Sequence, residues 1–168
     1  LSQDFTDFEY LIINDGSTDN TKKIVQRLQK EVGRIRLINQ KNSGLVASLN
    51  RGITEAHGTY IARIDGDDEW LPHKLRTQVA MLEKNKNLVL VGGGAEIMNQ
   101  DSVPTGFIFN VARNEDISLG LCIFNQFCHS SVIYRRQTAL DAGLYPDTCP
   151  AVDYDLFSKF AEHGELAN

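Results

Sequence analysis

Three carboxylates stand within four residues, Asp65-Gly66-Asp67-Asp68, directly after the stretch Thr59-Tyr60-Ile61-Ala62-Arg63-Ile64. The β-branched and aromatic content of that stretch reads as a strand, and Gly66 permits a tight bend after it. Asp65 and Asp67, one residue apart at a strand end, can converge on one hard divalent cation that keeps waters and takes further oxygens from a diphosphate. An acidic loop capping the next helix is the plainer alternative on spacing alone. Asp15, in Asn14-Asp15-Gly16-Ser17-Thr18-Asp19, follows another apolar run. It could accept hydrogen bonds from a ribose hydroxyl or a base amide, or cap the helix after Gly16. In Val152-Asp153-Tyr154-Asp155 either carboxylate could cap the last helix. Asp153 is better placed than Asp155 to reach an open pocket and deprotonate a sugar hydroxyl. His129, in Cys128-His129-Ser130-Ser131, falls inside a predicted strand, as a core histidine or a site residue. Gly92-Gly93-Gly94 marks a bend or lets a sugar or phosphate approach the backbone. No G-x-G-x-x-G fingerprint and no G-x-x-x-x-G-K-S/T run is present.

These groups need a scaffold that brings strand ends together. Glu9-Tyr10-Leu11-Ile12-Ile13 has little alternation, as in a strand buried on both faces. A helix bearing Ile24, Val25 and Leu28 follows, then a strand at Arg34 to Ile38 and a helix with Leu45, Leu49 and Ile53. After the acidic loop, Leu71-Pro72 suits a helix opening, with Leu75, Val79 and Leu82 as its apolar stripe. Leu88-Val89-Leu90-Val91 is another buried strand. This alternation through residue 91 predicts an α/β fold, a mostly parallel central sheet with helices on both faces. Beyond it the pattern weakens. Short elements are expected at Glu96–Met98 (strand), Glu115–Leu121 (helix), Phe127–Tyr134 (strand), Arg136–Ala142 (helix) and Tyr154–His163 (helix). Ligands of open α/β sheets bind beyond the carboxyl ends of the strands, where Asp15, Asp65, Asp67 and Asp68 all fall.

At 168 residues the chain reads as a single domain, 1–168, large enough to bury a core without staples. Seventeen basic against 22 acidic residues, a formal charge of -5, argue against nucleic acid as the main partner. No apolar run approaches the roughly 18 residues that cross a bilayer, and no signal peptide is visible. Cys122, Cys128 and Cys149 have no metal spacing and read as reduced, mostly buried thiols. Both ends look cut: the chain opens on Leu1-Ser2-Gln3-Asp4 without an initiator Met and stops soon after its last predicted helix.

Taken together, four segments resemble the inverting glycosyltransferases of family 2. They are Glu9 to Thr21, Asn42 to Gly52, Ala56 to Asp68 continuing to Pro72-His73-Lys74-Leu75, and Asp153-Tyr154-Asp155-Leu156. Their order and spacing cover most of the chain. The resemblance implies a GT-A fold, truncated at the amino end because the first strand and most of the first helix of such enzymes are missing. Leu1-Ser2-Gln3 would be the tail of that helix. It implies that Asp15 contacts the base or ribose of a nucleotide diphosphate sugar, foremost a UDP-sugar. Asp65 and Asp67 match the aspartate-x-aspartate motif that holds ribose, diphosphate and a Mg²⁺ or Mn²⁺ ion, and Asp68 supports them. Asp153 matches the catalytic base. Two departures stand out: Val152 replaces the glutamate that usually precedes the base, and Asn14 replaces a frequent first aspartate.

The reaction so implied is a single displacement: Asp153 accepts the acceptor's proton, and the ion held through Asp65 and Asp67 neutralises the leaving diphosphate. The acceptor would be a carbohydrate or a lipid-linked one. The location would be cytoplasmic, at the cytoplasmic membrane face where absent parts of the protein supply an anchor. A metal-dependent nucleotidyltransferase and a non-catalytic nucleotide-sugar-binding module are the rival readings.

Overall fold

The computed structural model describes residues 2–148 and 150–168; Leu1 and Cys149, and the expectations that fall on them, lie outside the described residues. Through residue 91 strands and helices alternate as the sequence pattern predicts. The order is β1 (Tyr10–Asp15), α1 (Thr21–Glu31), β2 (Ile35–Gln40), α2 (Leu45–Glu55), β3 (Tyr60–Ala62), α3 (Lys74–Lys84) and β4 (Leu88–Val91). Then come β5 (Ala95–Met98), β6 (Pro104–Ile108), α4 (Asn114–Gly120), β7 (Ile133–Arg135), α5 (Arg136–Asp141), α6 (Val152–Phe160) and β8 (Glu165–Ala167). The strand β8 was not foreseen from the sequence, and Ser2 and Gln3 are not helical. Instead Gln3 accepts from the Leu75 amide (3.1 Å) and donates to Leu71 O (2.8 Å), fastening the amino-terminal segment over the start of α3.

The expected mostly parallel sheet is corrected to three small sheets of mixed direction. β1 and β2 pair in parallel from Tyr10↔Ile35 to Asp15↔Gln40. A second sheet has the order β3-β7-β4-β8, with β7 antiparallel to both neighbours and β4 parallel to β8. β5 and β6 form an antiparallel pair. The βα alternation that favours parallel pairing ends at β4, and β7 follows the β5–β6 pair and the short α4 rather than a single crossover helix, so it is free to run the other way. β1 and β3 do not pair. The two strands border a cavity of about 1000 Å³ walled by side chains such as Leu11, Ile13, Leu49, Ile53 and Ile61.

All four residues of β4 are buried, as its unalternating run predicts. Leu90 and Tyr134 pack with Ile53 of α2 and with Leu156, Phe157 and Phe160 of α6. Leu88, Val91 and Ile133 pack with Leu75 and Leu82 of α3. These two clusters put helices on both faces of the four-stranded sheet, which holds the strand ends of the site rigid.

The glycines after β4 serve this packing. A Cβ on Gly92 would stand 2.7 Å from the Phe127 ring, and one on Gly94 would stand 2.7 Å from Ile108 O. They allow close approach of neighbouring chain, and Gln78 uses the Gly92 carbonyl as an acceptor (2.6 Å). At Gly164 the nearest neighbour is backbone. A Cβ there would meet Asn87 O at 2.4 Å and Val89 Cγ1 at 2.6 Å, both fixed at the start of β4. Gly164→Ala is therefore expected to cost about 1–3 kcal/mol through overpacking, read as a lower denaturant midpoint with an unchanged slope. An unshifted midpoint would show that β8 docks less closely than described.

Candidate active site

Asp15 is the last residue of β1, and the sheet register sets Gln40 of β2 beside it. Its Oδ1 accepts from Gln40 Nε2 (2.8 Å) and from the Ser43 amide (2.8 Å), and its Oδ2 from the Gly44 amide (3.0 Å). These donors, the Gln40 amide foremost, hold the carboxyl below the usual carboxylate range. Asp15 thus secures the opening of α2. The helix after Gly16 is closed by Asp19, whose Oδ1 accepts from the Thr21 amide (2.9 Å). Of the two roles the sequence leaves open for Asp15, the cap therefore serves α2 and not the helix after Gly16. Asn14, buried, bonds Asn39 Oδ1 (2.9 Å) and accepts from the Ser17 amide (3.1 Å), which fixes the bend at Gly16. Ser48, which accepts from the same Gln40 amide (3.0 Å), lines the cavity that Asp65 and Gly66 also border.

The strand β3 ends at Ala62, so Arg63 and Ile64 lead extended chain into the acidic turn. Arg63 forks onto Asp65: Nη1 donates to Oδ2 (2.5 Å) and Nη2 to Oδ1. Ser130 Oγ donates to Asp65 Oδ2 (3.1 Å) and accepts from the Asp65 amide (3.0 Å) and from Arg63 Nη1 (3.2 Å). Trp70 Nε1 donates to Ser130 O (2.7 Å), tying the turn's far side to the same residue. Asp67 and Asp68 are exposed, and among the described residues their carboxylates make no hydrogen bond or ion pair. Two oxygen-donor carboxylates fit Mg²⁺ or Mn²⁺, hard cations that retain waters. Among the described residues no third His, Cys, Asp or Glu joins them, so most of the shell would come from water and phosphate oxygens.

His129 does not lie in a strand. Ser131 N and Oγ both donate to Cys128 O (2.9 and 2.7 Å), closing a single 3₁₀ turn over His129–Ser131 before β7. The turn buries the imidazole against Phe157 and within 2.9 Å of the Tyr145 hydroxyl. Asp153, the second residue of α6, accepts from Asn125 Nδ2 (2.9 Å), while Asp155 pairs with Lys159 (2.7 Å). Neither carboxylate caps α6 through its side chain. Asp65 and Asp153 both lie close enough to raise the affinity of His129 for a proton, but burial first and Arg63 second prevail and push it down to about 4. Burial likewise pushes the Tyr145 hydroxyl up to about 12. A neutral imidazole therefore lies within electrostatic reach of two of the candidate carboxylates.

That neutrality carries a stability signature. The unfolded chain protonates this histidine near 6.5. Between pH 6.5 and 4 the unfolded state thus holds a proton that the folded state does not. The contribution is complete above pH 6.5 and lost as pH falls, by about 3 kcal/mol on reaching pH 4. The unfolding free energy of the wild type, less that of His129→Gln, should fall by about that amount between pH 7 and 4. A difference independent of pH would mean that the imidazole is not buried neutral.

The sequence matches Glycosyl transferase family 2 over residues 1–142. The chain belongs to this family. Its relatives include EpsE of Bacillus subtilis (strain 168), 34% identical over 98% of this chain and 60% of EpsE. WfgD of Escherichia coli, named a UDP-Glc:alpha-D-GlcNAc-diphosphoundecaprenol beta-1,3-glucosyltransferase, is 35% identical over 109 residues, 64% of this chain and 42% of WfgD. The mannosyltransferase PcManGT from Pyrobaculum calidifontis, solved in complex with GDP-Man and Mn²⁺, superposes with a TM-score of 0.74. The match covers 99% of this chain and 47% of that one at 18% identity, so this likeness concerns the fold, which is GT-A. The family 2 chain spans about half the length of the relatives it matches.

Asp15, Asp65, Asp67 and Asp68 of this family 2 member fall inside the matched region, and Asp153 falls beyond it. Arg63, Ser130, Tyr145 and Asn125, which hold or face the carboxylates, were missed from the sequence. For Arg63 a signal existed: two residues before Asp65 on an extended chain, it lies on the same side. Ser130 reaches Asp65 from 65 residues away and Asn125 reaches Asp153 from 28, distances over which no local pattern announces a contact. The thiol expectation is also corrected, since Cys122 is exposed and Cys128 half-buried, both free. No helix among the described residues is long and apolar enough to cross a membrane.

Proposed function

We propose that this family 2 chain carries the donor-binding and catalytic part of an inverting, metal-assisted glycosyltransferase. It moves a sugar from a nucleotide diphosphate sugar to an acceptor hydroxyl. The observation that carries this reading is that the turn at His129–Ser131 links the two candidate groups: Ser130 Oγ donates to Asp65 Oδ2, beyond β3, and His129 packs on Phe157 of α6, the helix that begins with Val152 and Asp153. This supports an acidic turn and a candidate base that belong to one site.

In this reading Asp15 meets the base or ribose, with Gln40 and the Ser43 and Gly44 amides fixing its carboxylate. Asp65 and Asp67 would hold Mg²⁺ or Mn²⁺, with Asp68 beside them; when bound, the ion neutralises charge on the departing diphosphate. Asp153 takes the acceptor's proton through the oxygen that Asn125 leaves open. Val152, packed against the core where the resemblance expects a glutamate, leaves that base without an acidic residue directly before it. The UDP-Glc and diphosphoundecaprenol in WfgD's name support a UDP-sugar donor and a lipid-linked acceptor, and the Mn²⁺ bound to PcManGT supports the metal. A cytoplasmic position at the membrane face follows from such an acceptor. The cavity between β1 and β3 further supports a longer domain, in which one more strand would join the two sheets.

Calorimetric titration with UDP- and GDP-sugars, with and without Mn²⁺, tests this directly. One donor is expected to bind measurably only when Mn²⁺ is present, and the full-length protein should then release nucleoside diphosphate on transfer. Binding indifferent to Mn²⁺ would refute the metal site. Val152 favours one second reading, a nucleotide-sugar-binding module, which tight binding without turnover by the full-length protein would establish.

A further inference from the structure

The Asp65 carboxylate is already answered by a cation. Arg63 is 9% exposed, whereas Asp65 is 44% exposed, so the guanidinium lies beneath the carboxylate rather than in solvent. Its fork engages both oxygens, and Ser130, itself buried, engages Oδ2 again. A carboxylate offers roughly four lone-pair positions. Three are used here, leaving about one on Oδ1 for anything arriving from the open side. The planar fork also fixes the carboxylate's orientation, which a flexible ammonium would not do.

A divalent ion approaching alone therefore finds the exposed carboxylate of Asp67, with Asp68 beside it, and one vacant position on an Asp65 oxygen whose charge Arg63 has compensated. Among the described residues no group of three His, Cys, Asp or Glu side chains gathers to hold an ion. At an effective dielectric of about 20, a buried unit charge within several ångströms of a dication costs it some kcal/mol. A diphosphate reverses that balance by bringing its own negative oxygens.

On the reading of Asp65 and Asp67 as the metal-binding pair, we propose that Arg63 makes divalent-ion binding conditional on the nucleotide. As an internal cation it occupies the Asp65 oxygens that a metal would otherwise take, so the ion enters together with the diphosphate and not before it. Arg63 is a positioning residue in this scheme, acting through Asp65.

The test is Mn²⁺ binding, followed by the loss of the free-ion electron paramagnetic resonance signal, with and without UDP or GDP. Wild type is expected to bind Mn²⁺ weakly alone and more tightly with one nucleotide. In Arg63→Met the affinity for Mn²⁺ alone should rise by at least about tenfold. The gain conferred by the nucleotide should shrink by the same factor, because coupling between two ligands is reciprocal. Arg63→Lys, which keeps the charge, should stay within about threefold of wild type. Should Arg63→Met fail to fold, as circular dichroism would show, Arg63→Gln keeps one donor for Asp65 and carries the same expectation. Unchanged or weaker binding of Mn²⁺ alone in the neutral variant overturns the proposal and leaves the metal pair standing. No Mn²⁺ binding to any of these proteins, even with nucleotide, overturns both.

Discussion

Asp153→Asn in the full-length protein should transfer sugar at least about a hundredfold more slowly than wild type while binding nucleotide with nearly the same affinity. The substitution keeps the shape of the side chain and its place in the first turn of α6. The group facing Asn125 is then an oxygen or an amide, and a modest rotation restores the 2.9 Å contact. What disappears is the capacity to accept a proton, and a positioned base contributes about 10²–10⁴ in rate. Nothing that holds Asp15 or Asp65 passes through Asp153, so the donor pocket should survive. Asp155→Asn is the matched control: that carboxylate is spent on Lys159 one turn along the helix. Its loss should leave transfer within about twofold, since exposed i,i+4 pairs contribute only a few tenths of a kcal/mol. Undiminished transfer by Asp153→Asn would remove the base assignment, and equal losses in both variants would point to damage of α6 rather than to chemistry.

The second large effect separates Asp65 from Asp67. Both substitutions to Asn should reduce transfer by at least about a hundredfold, because either removes one of two protein oxygens for the ion that answers the leaving diphosphate. Their stabilities should diverge. Asp67 is exposed and touches no partner among the described residues, so Asp67→Asn should leave the unfolding free energy within about 0.5 kcal/mol. Asp65→Asn strips the buried Arg63 guanidinium of its counterion and should cost about 2 kcal/mol. Denaturation and transfer assays on the same two proteins check this. Full activity in Asp67→Asn would exclude it from the metal site, and equal stability would show that Arg63 does not depend on Asp65.

Much of the site was legible because its chemistry sits at strand ends, which hydrophobic pattern locates well. β4 was visible as an unbroken apolar run, and α1, α2 and α3 as repeats every three to four residues. His129 shows where that reasoning fails. Phe127 to Tyr134 has the composition of a strand, yet Ser131 turns back onto Cys128 O and makes a 3₁₀ turn of its middle. Serine can satisfy a carbonyl locally as readily as the chain can satisfy it in a ladder, and composition does not choose between the two. Asp15, for which ligand contact and a cap both stood open, is a different case. Its type announced a cap, but two helix openings lay within reach, and the parallel register of β1 with β2 brought it to the second.

By itself the sequence determined which side chains could do chemistry, the alternation that makes this an α/β chain, and the family it belongs to. Those properties are written in residue type and short-range period, which every segment carries within itself. The tertiary structure alone decided that β7 runs against β3 and β4, that Arg63 and Ser130 enclose Asp65, that Asp153 meets Asn125, and that His129 stays neutral. Each of these joins residues far apart in the chain or depends on what burial withholds from water. Neither quantity exists until the core closes around β4.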